Sequence, residues 1–552
     1  MKAFANLYRD LDESNRTNDK VAALAAYLRV AAPADAAWAI HFLIGKRPKR
    51  PVNTTKLTEW ARDTSGLSSW LFQESYDAVG DLAETLAVLV PPADLIAPDR
   101  PLAAVVETYI LGLTGQPEEV QREAIVALWR EQSTLERFVF NKLITGAFRV
   151  GVSQELVVRA IAEVSGRTKN VIAHRIMGNT VPSAGWVDGL YAEVAPESDA
   201  DASQPFPFCL AHPLESGPQT LGDREGWCAE WKWDGLRAQV IRRGETVAVW
   251  SRGEELMTTR FPEIADLARR LPEGTVLDGE LLGWSEGRPL RFAELQRRIG
   301  RKVLGKKILE EVPVALIAFD LLECAGDDLR DLPLRERRTR LAALFVPEGE
   351  GSARPDPALG LTPVDRHLLL ANSLSGTWEE LAAQRAVARE FGTEGLMLKG
   401  WETPYETGRR RGVWWKWKIE PMTVDAVMIY AQRGSGKRAS LYSDYTFAVW
   451  DGSPEAGGTL VPFAKAYSGL TDAELARVDH WVRRNTQETF GPVRSVTPTL
   501  VMELGFEGIA LSSRHKSGIA VRFPRILRWR EDKTPADADT LETVKALIRA
   551  EG

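Results

Sequence analysis

Hydrophobic and polar positions follow one rhythm in the first third of the chain and another after it. Up to about residue 195, apolar residues recur three and four apart, as on one face of a helix. Val21 to Ala31, Ser75 to Leu89 and Pro117 to Gln132 each predict a helix, with turn signals at Arg47-Pro48 and Pro91-Pro92. From Pro196 to Gly222 the composition shifts to Pro, Ser, Asp and Gln, which predicts a linker. Beyond it, short apolar or alternating runs predict strands at Leu236 to Ile241, Val247 to Ser251, Val276 to Gly283, Val314 to Leu322, Glu394 to Lys399 and Val413 to Ile419. Helical patterns at Phe261 to Arg270 and Thr377 to Phe391 intervene, so this part reads as an α+β domain, with Glu348 to Pro363 as a Gly/Pro-rich surface loop. After Glu420-Pro421, strands at Val424 to Tyr430, Thr446 to Trp450, Leu460 to Ala466 and Val501 to Gly508, with a helix at Thr471 to Asn485, predict a small five-stranded barrel of the oligonucleotide-binding class. The expected architecture is therefore multidomain: all-α over residues 1–200, α+β over 201–420, and a β-barrel over 421–552.

One alternating stretch stands out: Glu230-Trp231-Lys232-Trp233-Asp234-Gly235-Leu236-Arg237. In a strand, successive side chains take opposite faces, so Glu230, Lys232 and Asp234 share one side while Trp231 and Trp233 pack on the other. Gly235 permits a tight change of direction before the next strand. A lysine between two carboxylates is a surface ion pair or a nucleophile. Lys-x-Asp-Gly-x-Arg arises by chance in about one in two hundred chains of this size at ordinary residue frequencies. The motif therefore needs companions to carry weight.

Composition narrows the setting. A net charge of −6 means that contact with nucleic acid would need local basic surfaces. Cys209, Cys228 and Cys324 are scattered and too few for a disulfide framework, and the six histidines show no zinc-ligand spacing. No apolar run reaches the roughly 18–20 residues that span a bilayer, and the first twenty residues mix acids and bases. The chain reads as soluble, reduced and cytoplasmic.

The companions follow Lys232 in order. Ser251-Arg252-Gly253-Glu254 ends a strand at a turn, and Leu277-Asp278-Gly279-Glu280 puts two carboxylates on one strand face. Phe319-Asp320 ends an apolar strand, Glu394-Gly395-Leu396-Met397-Leu398-Lys399 begins another, and Lys416-Trp417-Lys418 repeats the opening alternation. In the helical part, Asn141-Lys142-Leu143-Ile144-Thr145-Gly146-Ala147-Phe148-Arg149-Val150-Gly151 has two glycines that let backbone approach closely, with Lys142 and Arg149 as cations for phosphates. Two further basic clusters lie at Arg291 to Lys307 and Arg514 to Lys533, candidates for contact with DNA phosphate.

Together these residues resemble the covalent nucleotidyltransferase superfamily, and most closely its three-domain ATP-dependent DNA ligases, over essentially the whole chain. Arg522-Phe-Pro-Arg525-Ile-Leu-Arg528-Trp-Arg530-Glu-Asp-Lys533 is similar to the family's last motif, and the Gly146 segment to one in the helical DNA-binding domain. Trp233 stands where tyrosine is common, and Leu398 where valine is common. The resemblance implies an ATP-grasp-like ligase core in which Lys232 attacks the α-phosphorus of ATP, releasing pyrophosphate and forming a lysyl-adenylate. An ammonium cannot attack, so its pKa would have to be lowered by Lys416, Lys418, a metal or desolvation. Phe319 would stack on adenine and the Glu230 backbone would meet its edge. Arg237, Arg252 and Glu280 would hold ribose and phosphate, and Arg410, Lys416 and Lys418 would line the ATP site and neutralise phosphate charge. Glu280 and Glu394 would hold Mg²⁺. Arg525, Arg528 and Lys533 would orient pyrophosphate as the barrel closes. The implied partner is nicked duplex DNA, gripped by a monomer with no membrane contact, for replication, repair or recombination. RNA ligation, RNA capping and a non-catalytic DNA clamp are the competing readings. The helical part disfavours the first two, and the intact Lys232, Glu280, Glu394 and Lys416 disfavour the third.

Overall fold

The computed structural model describes residues 1–91, 99–146, 148, 150–177, 181–193, 202–301, 304–345, 359–434, 440–467 and 469–550. It divides into two compact units, one of Met1–Glu13, Gly45–Gly151 and Glu420–Gly552, the other of Ser14–Ile44 and Val152–Ile419. Among the described residues up to 193 there are helices and no strand: α1 (Lys2–Glu13), α2 (Thr17–Val30), α3 (Pro33–Leu43), α4 (Thr54–Ser65), α5 (Ser69–Val79), α6 (Leu82–Leu89), α7 (Leu102–Val105), α8 (Glu118–Glu131), α9 (Thr134–Thr145), α10 (Gln154–Ser165), α11 (Lys169–Arg175) and α12 (Ala184–Tyr191).

The single helix expected over Ser75 to Leu89 is two. Gly80 adopts φ 72°, which ends α5, and Asp81 caps α6 by accepting the Glu84 N–H at 3.1 Å. Asp81 also settles the fate of Lys142. The other carboxylate oxygen pairs with the Lys142 ammonium, which lies 5.3 Å from the Phe138 ring centroid and is nearly buried. Lys142 ties α9 to the start of α6, so the expectation that it reaches out to DNA phosphate is corrected: helical spacing turned it inward. Nearby, Arg137 is buried and donates to the carbonyls of Trp129 and Ala87, satisfying two helix-end acceptors. Arg149 lies outside the described residues.

Residues 194–201, the start of the expected linker, also lie outside the described residues, but from residue 202 the chain is packed rather than linking. Phe206, Phe208 and Cys209 are buried, and the Phe206 backbone exchanges two hydrogen bonds with the Gln239 side chain, at 2.7 and 2.8 Å. The Phe206 ring also receives α11, since His174 stacks on it at 5.3 Å. Arg243 and Arg330 lie over the same ring at 5.1 and 4.1 Å, so a protonated imidazole would be a third cation there. Burial first, then these arginines, bring the His174 pKa from 6.5 down to about 4. The unfolded chain then binds the proton more readily, so stability is full above pH 6.5 and falls as pH drops toward 4, by on the order of 3 kcal/mol. Urea unfolding of this unit at pH 7 and pH 4.5 should show that loss, and His174→Gln should flatten it.

Among the described residues twelve strands follow: β1 (His212–Pro213), β2 (Trp227–Trp233), β3 (Leu236–Arg243), β4 (Thr246–Ser251), β5 (Thr275–Ser285), β6 (Arg288–Pro289), β7 (Val314–Cys324), β8 (Asp327–Asp328), β9 (Leu361–Asp365), β10 (Leu368–Ala371), β11 (Thr393–Gly400) and β12 (Trp414–Lys418). One sheet has the order β1-β12-β11-β2, the other β4-β3-β5-β7-β10-β9. The loop expected over Glu348 to Pro363 lies outside the described residues up to 358, while its last residues belong to β9. Alternation in β2 works as the pattern requires: Trp231 and Trp233 enter a core with Leu396, Leu398 and Trp417. Gly235 has no unusual φ. Its need is space, since a Cβ there would sit 2.5 Å from the Leu281 carbonyl oxygen. The helix expected over Thr377 to Phe391 runs from Trp378 to Ala386 behind a Thr377–Glu380 capping box, and a 3₁₀ turn completes it.

The last part carries β13 (Met422–Arg433), β14 (Tyr442–Trp450), β15 (Leu460–Ala466), β16 (Thr486–Phe490), β17 (Val493–Val496), β18 (Val501–Phe506), β19 (Gly508–Leu511), β20 (Ile519–Arg522) and β21 (Arg525–Trp529). Seven of these strands form one sheet and β19 and β20 a separate pair, instead of the five strands expected. The long β13 explains the excess, because its first half pairs with β18 and its second half with β17. Asp472–Asn485 is the inserted helix, packed on the sheet through Leu475, Val478 and Val482.

Candidate active site

Strand β11 is the spine of the site, because it pairs with β2 on one side and with β12 on the other. Met397 lies opposite Glu230 in one ladder and opposite Lys416 in the other, which gathers the polar faces of three strands. Simple alternation would put Glu394 with Leu396 and Leu398, on the tryptophan side. A bulge between Thr393 and Leu396 changes this. The extra residue is accommodated at Gly395, whose φ is 125° and where a Cβ would collide with the Trp417 carbonyl. Glu394 is thereby turned onto Lys232. Its Oε2 pairs with the Lys232 ammonium and lies 3.4 Å from Lys418 Nζ. Lys416 is half-buried one step further along the same face, opposite Met397.

At the other end of the face, Glu230 is buried and doubly paired, to Lys399 Nζ and to Arg338 Nη1, each at 2.5 Å. Lys399 Nζ lies 3.8 Å from the Phe319 ring centroid and 4.5 Å from that of Trp414. Arg338 also donates to the Phe319 carbonyl at 2.9 Å. Neither Lys399 nor Arg338 figured among the sequence candidates. Lys399 had a signal, because it ends the Glu394 motif on the same face as Met397. Arg338 had none, being one of several arginines in the helix Leu334–Leu344.

Arg237 is committed differently from the expectation that it holds ribose. Its guanidinium grips Asp278 bidentately at 3.1 and 2.6 Å and also donates to the Cys209 carbonyl and to the Tyr405 hydroxyl. Four of its five N–H groups are directed at the protein, so Arg237 braces the site more than it touches a ligand. The Tyr405 hydroxyl donates to Asp278 at 2.6 Å. Beside this cluster, Asp320 and Arg337 form a fully buried pair, at 2.8 and 2.9 Å. Glu280 lies opposite Arg237 in the β3–β5 ladder. Burial raises its carboxyl to about 7, against the pull of Lys232, Arg237 and Arg252. Arg252 is exposed on the turn after β4, its backbone N–H held by the Arg237 carbonyl at 2.9 Å. Arg410 is exposed and paired with Glu406 at 3.3 Å.

In the C-terminal β domain, the basic candidates lean on that domain's own carboxylates. Arg528 pairs with Glu503 at 2.5 Å, Arg525 with Glu507 at 3.6 Å, and Lys533 shares Asp425 with Arg530, at 2.6 and 2.9 Å. The Arg291 to Lys307 cluster changes character too. Arg298 is buried against Glu263, Arg297 pairs with Glu294 and Glu311, and Lys306 and Lys307 face Glu310 and Glu311 at 3.7 Å. Tertiary structure and the next helical turn supply acids that the local composition lacked. Lys302 lies outside the described residues.

Among the described residues no group of three or more His, Cys, Asp or Glu is placed to hold a metal, and no helix is long and apolar enough to cross a membrane. Two carboxylates without thiolate or imidazole, Glu280 and Glu394, are a donor set that fits a hard cation shared with phosphates.

An α+β core whose polar sheet face carries Lys232 against Glu394, in one chain with an OB-like β domain, defines the class as a multidomain nucleotidyltransferase of ligase type. Three family models match it: "DNA ligase N terminus" over residues 1–162, "ATP dependent DNA ligase domain" over 208–418, and "ATP dependent DNA ligase C terminal region" over 438–533. The chain is 33% identical to a probable DNA ligase of Koribacter versatilis, over 100% of this chain and 97% of that one. It is 30% identical to DNA ligase 1 of Korarchaeum cryptofilum, over 99% and 98%. The solved structure Pmar-Lig_PreS3 shares the fold with a TM-score of 0.58 at 16% identity, over 96% of this chain and 99% of that one. The chain belongs to the ATP-dependent DNA ligase family.

Proposed function

We propose that this ligase carries AMP on Lys232 and passes it to the 5′-phosphate of a nick; the 3′-hydroxyl then attacks that phosphorus, forming the phosphodiester and releasing AMP. The observation that carries this reading is the Lys232–Glu394 contact, made by the bulge at Gly395. Lys232 must lose a proton before Nζ can attack the α-phosphorus, and Glu394 Oε2 lies where it can receive it. Lys416 and Lys418 on the neighbouring strand would supply positive charge for the phosphates, joined by Arg252 from the turn after β4 and by Arg410, which would leave Glu406 to do so. Phe319, now buried with Lys399 Nζ at 3.8 Å from its ring centroid, would stack on adenine, and the Glu230 backbone would meet the base edge while Arg338 and Lys399 hold the Glu230 carboxylate. Glu280 and Glu394 would hold Mg²⁺, which when bound neutralises phosphate charge. A nearby cation favours the ionised form of Glu280, whose carboxyl otherwise sits near half protonation at neutral pH.

We assign residues 1–200 to DNA binding, 201–420 to an ATP-grasp-like adenylation core and 421–552 to an OB-fold, acting as a cytoplasmic monomer on nicked duplex DNA. Incubation with α-labelled ATP, followed by peptide mapping, tests the central step. The label should survive denaturation and map to residue 232; label at another position, or none, ends this reading.

Arg525, Arg528 and Lys533 would orient pyrophosphate during adenylation, exchanging their carboxylate partners for phosphate. Glu503 holds Arg528 at an exposed pair worth at most about 1 kcal/mol, a weak enough grip to exchange. Arg528→Ala should then slow self-adenylation about a hundredfold, as loss of one charge-stabilising donor does, and affect sealing of pre-adenylated nicks less. Equal loss in both assays would remove the pyrophosphate role.

A further inference from the structure

Gly146 ends α9 with φ 70°, and two arginines from elsewhere in the chain converge on it. They come from Gly45-Lys46-Arg47-Pro48-Lys49-Arg50-Pro51, which carries four cations in five residues. The prolines fix φ and keep this run out of a helix, so its side chains are presented from extended backbone. Arg47 Nη1 donates to the Gly146 carbonyl. A Cβ built on Gly146 would lie 2.8 Å from Arg47 Nη1, 2.9 Å from Arg50 Nη2 and 3.1 Å from Arg50 Nε. Both guanidinium groups therefore crowd the space that the glycine leaves open.

Helix capping explains part of this. The carbonyl end of α9 carries partial negative charge and attracts cations, and Arg47 uses one of its five donors there. It does not explain the pair. Both arginines are exposed, and among the described residues neither is ion-paired with a carboxylate and Arg50 makes no hydrogen bond. Elsewhere in this structure exposed arginines such as Arg297, Arg335 and Arg477 find carboxylate partners. Two like charges brought together without an anion repel each other. Guanidinium forks suit the oxygens of a phosphate, which would relieve that repulsion.

We propose that Arg47 and Arg50, seated on Gly146, clamp one backbone phosphate of duplex DNA. This rests on the reading of the chain as acting on nicked duplex, and it replaces the buried Lys142 with two cations that solvent and DNA reach. The glycine belongs to the arrangement, since any side chain at 146 would displace both forks.

Full-length wild type, Arg47→Ala, Arg50→Ala and the double variant would be titrated with nicked duplex over a series of salt concentrations. Neutralising one phosphate contributes about 0.9 to the slope of log K against log salt, and two phosphates about 1.8. The double variant should lose about 0.9, with each single substitution causing most of the loss, because both arginines hold the same phosphate. The Arg47→Lys/Arg50→Lys variant should keep the slope but bind more weakly, since lysine has charge without the fork. Self-adenylation of the double variant should keep the wild-type dependence on ATP concentration. A shift in that dependence would assign the arginines to nucleotide phosphate and overturn the clamp. A wild-type slope and affinity in the double variant would also overturn it, while leaving the ligase reading intact. Failure of the wild type itself to bind or seal nicked duplex would instead remove the reading beneath it.

Discussion

Lys232→Ala is expected to lose sealing with ATP by about 10⁴-fold or more and to leave sealing of a pre-adenylated nick within about tenfold of wild type. The contrast matters more than the loss. Lys232 is needed as the atom that carries AMP, and a nick that already bears AMP no longer needs a carrier. Its surroundings survive the change, because Lys232 is only partly buried and Glu394 keeps Lys418 as a partner at 3.4 Å. Methionine or alanine at 232 should thus fold, bind DNA and fail at one step. Lys232→Arg is the stricter control. It keeps the positive charge beside Glu394 but offers no nucleophile at working pH, so it should fail in the same assay. If either variant still acquired label from α-labelled ATP, the nucleotide would be carried elsewhere.

The second large effect concerns stability. Asp320→Ala should destabilise the sheet unit by about 3–5 kcal/mol, the usual result of leaving one member of a buried ion pair without its partner. Asp320 and Arg337 are both fully buried, joined by two hydrogen bonds at 2.8 and 2.9 Å, and the Leu321 N–H donates to the same carboxylate at 2.9 Å. At about 2–4 °C per kcal/mol for a domain of this size, the melting temperature should fall by roughly 6–20 °C. Adding Arg337→Met should recover much of the loss, since the double change removes the stranded charge and leaves an apolar side chain of similar length. Arg297→Ala provides the contrast, because its pairs with Glu294 and Glu311 are exposed and worth about 1 kcal/mol or less. Differential scanning calorimetry of the four chains would separate these outcomes. A melting temperature unchanged by Asp320→Ala would mean that the pair adds nothing to the unit's stability.

Much of the architecture was legible in the residues. The strands at Val247 to Ser251, Val314 to Leu322 and Glu394 to Lys399 and the helix at Phe261 to Arg270 form within a residue or two of their expected limits. Errors fell where a single local residue overrode the pattern, as Gly80 did in splitting one expected helix into α5 and α6. They also fell where a run rich in Pro and Ser had a structural task, as Phe206 and Cys209 do within the expected linker.

The sequence by itself determined which side chains alternate: Trp231 against Lys232, and Trp417 against Lys416 and Lys418, because a strand's period of two is a property of its own backbone. It also carried the ordered set of motifs that identifies the family. Tertiary structure alone decided what each charge does. It turned Glu394 onto Lys232 through a bulge, spent Arg237 on Asp278, buried Lys142 against Asp81, and brought Arg47 and Arg50 to Gly146 across some hundred residues. Periodicity is settled by neighbours along the chain, whereas the partner of a charge depends on groups that meet only once the chain has folded.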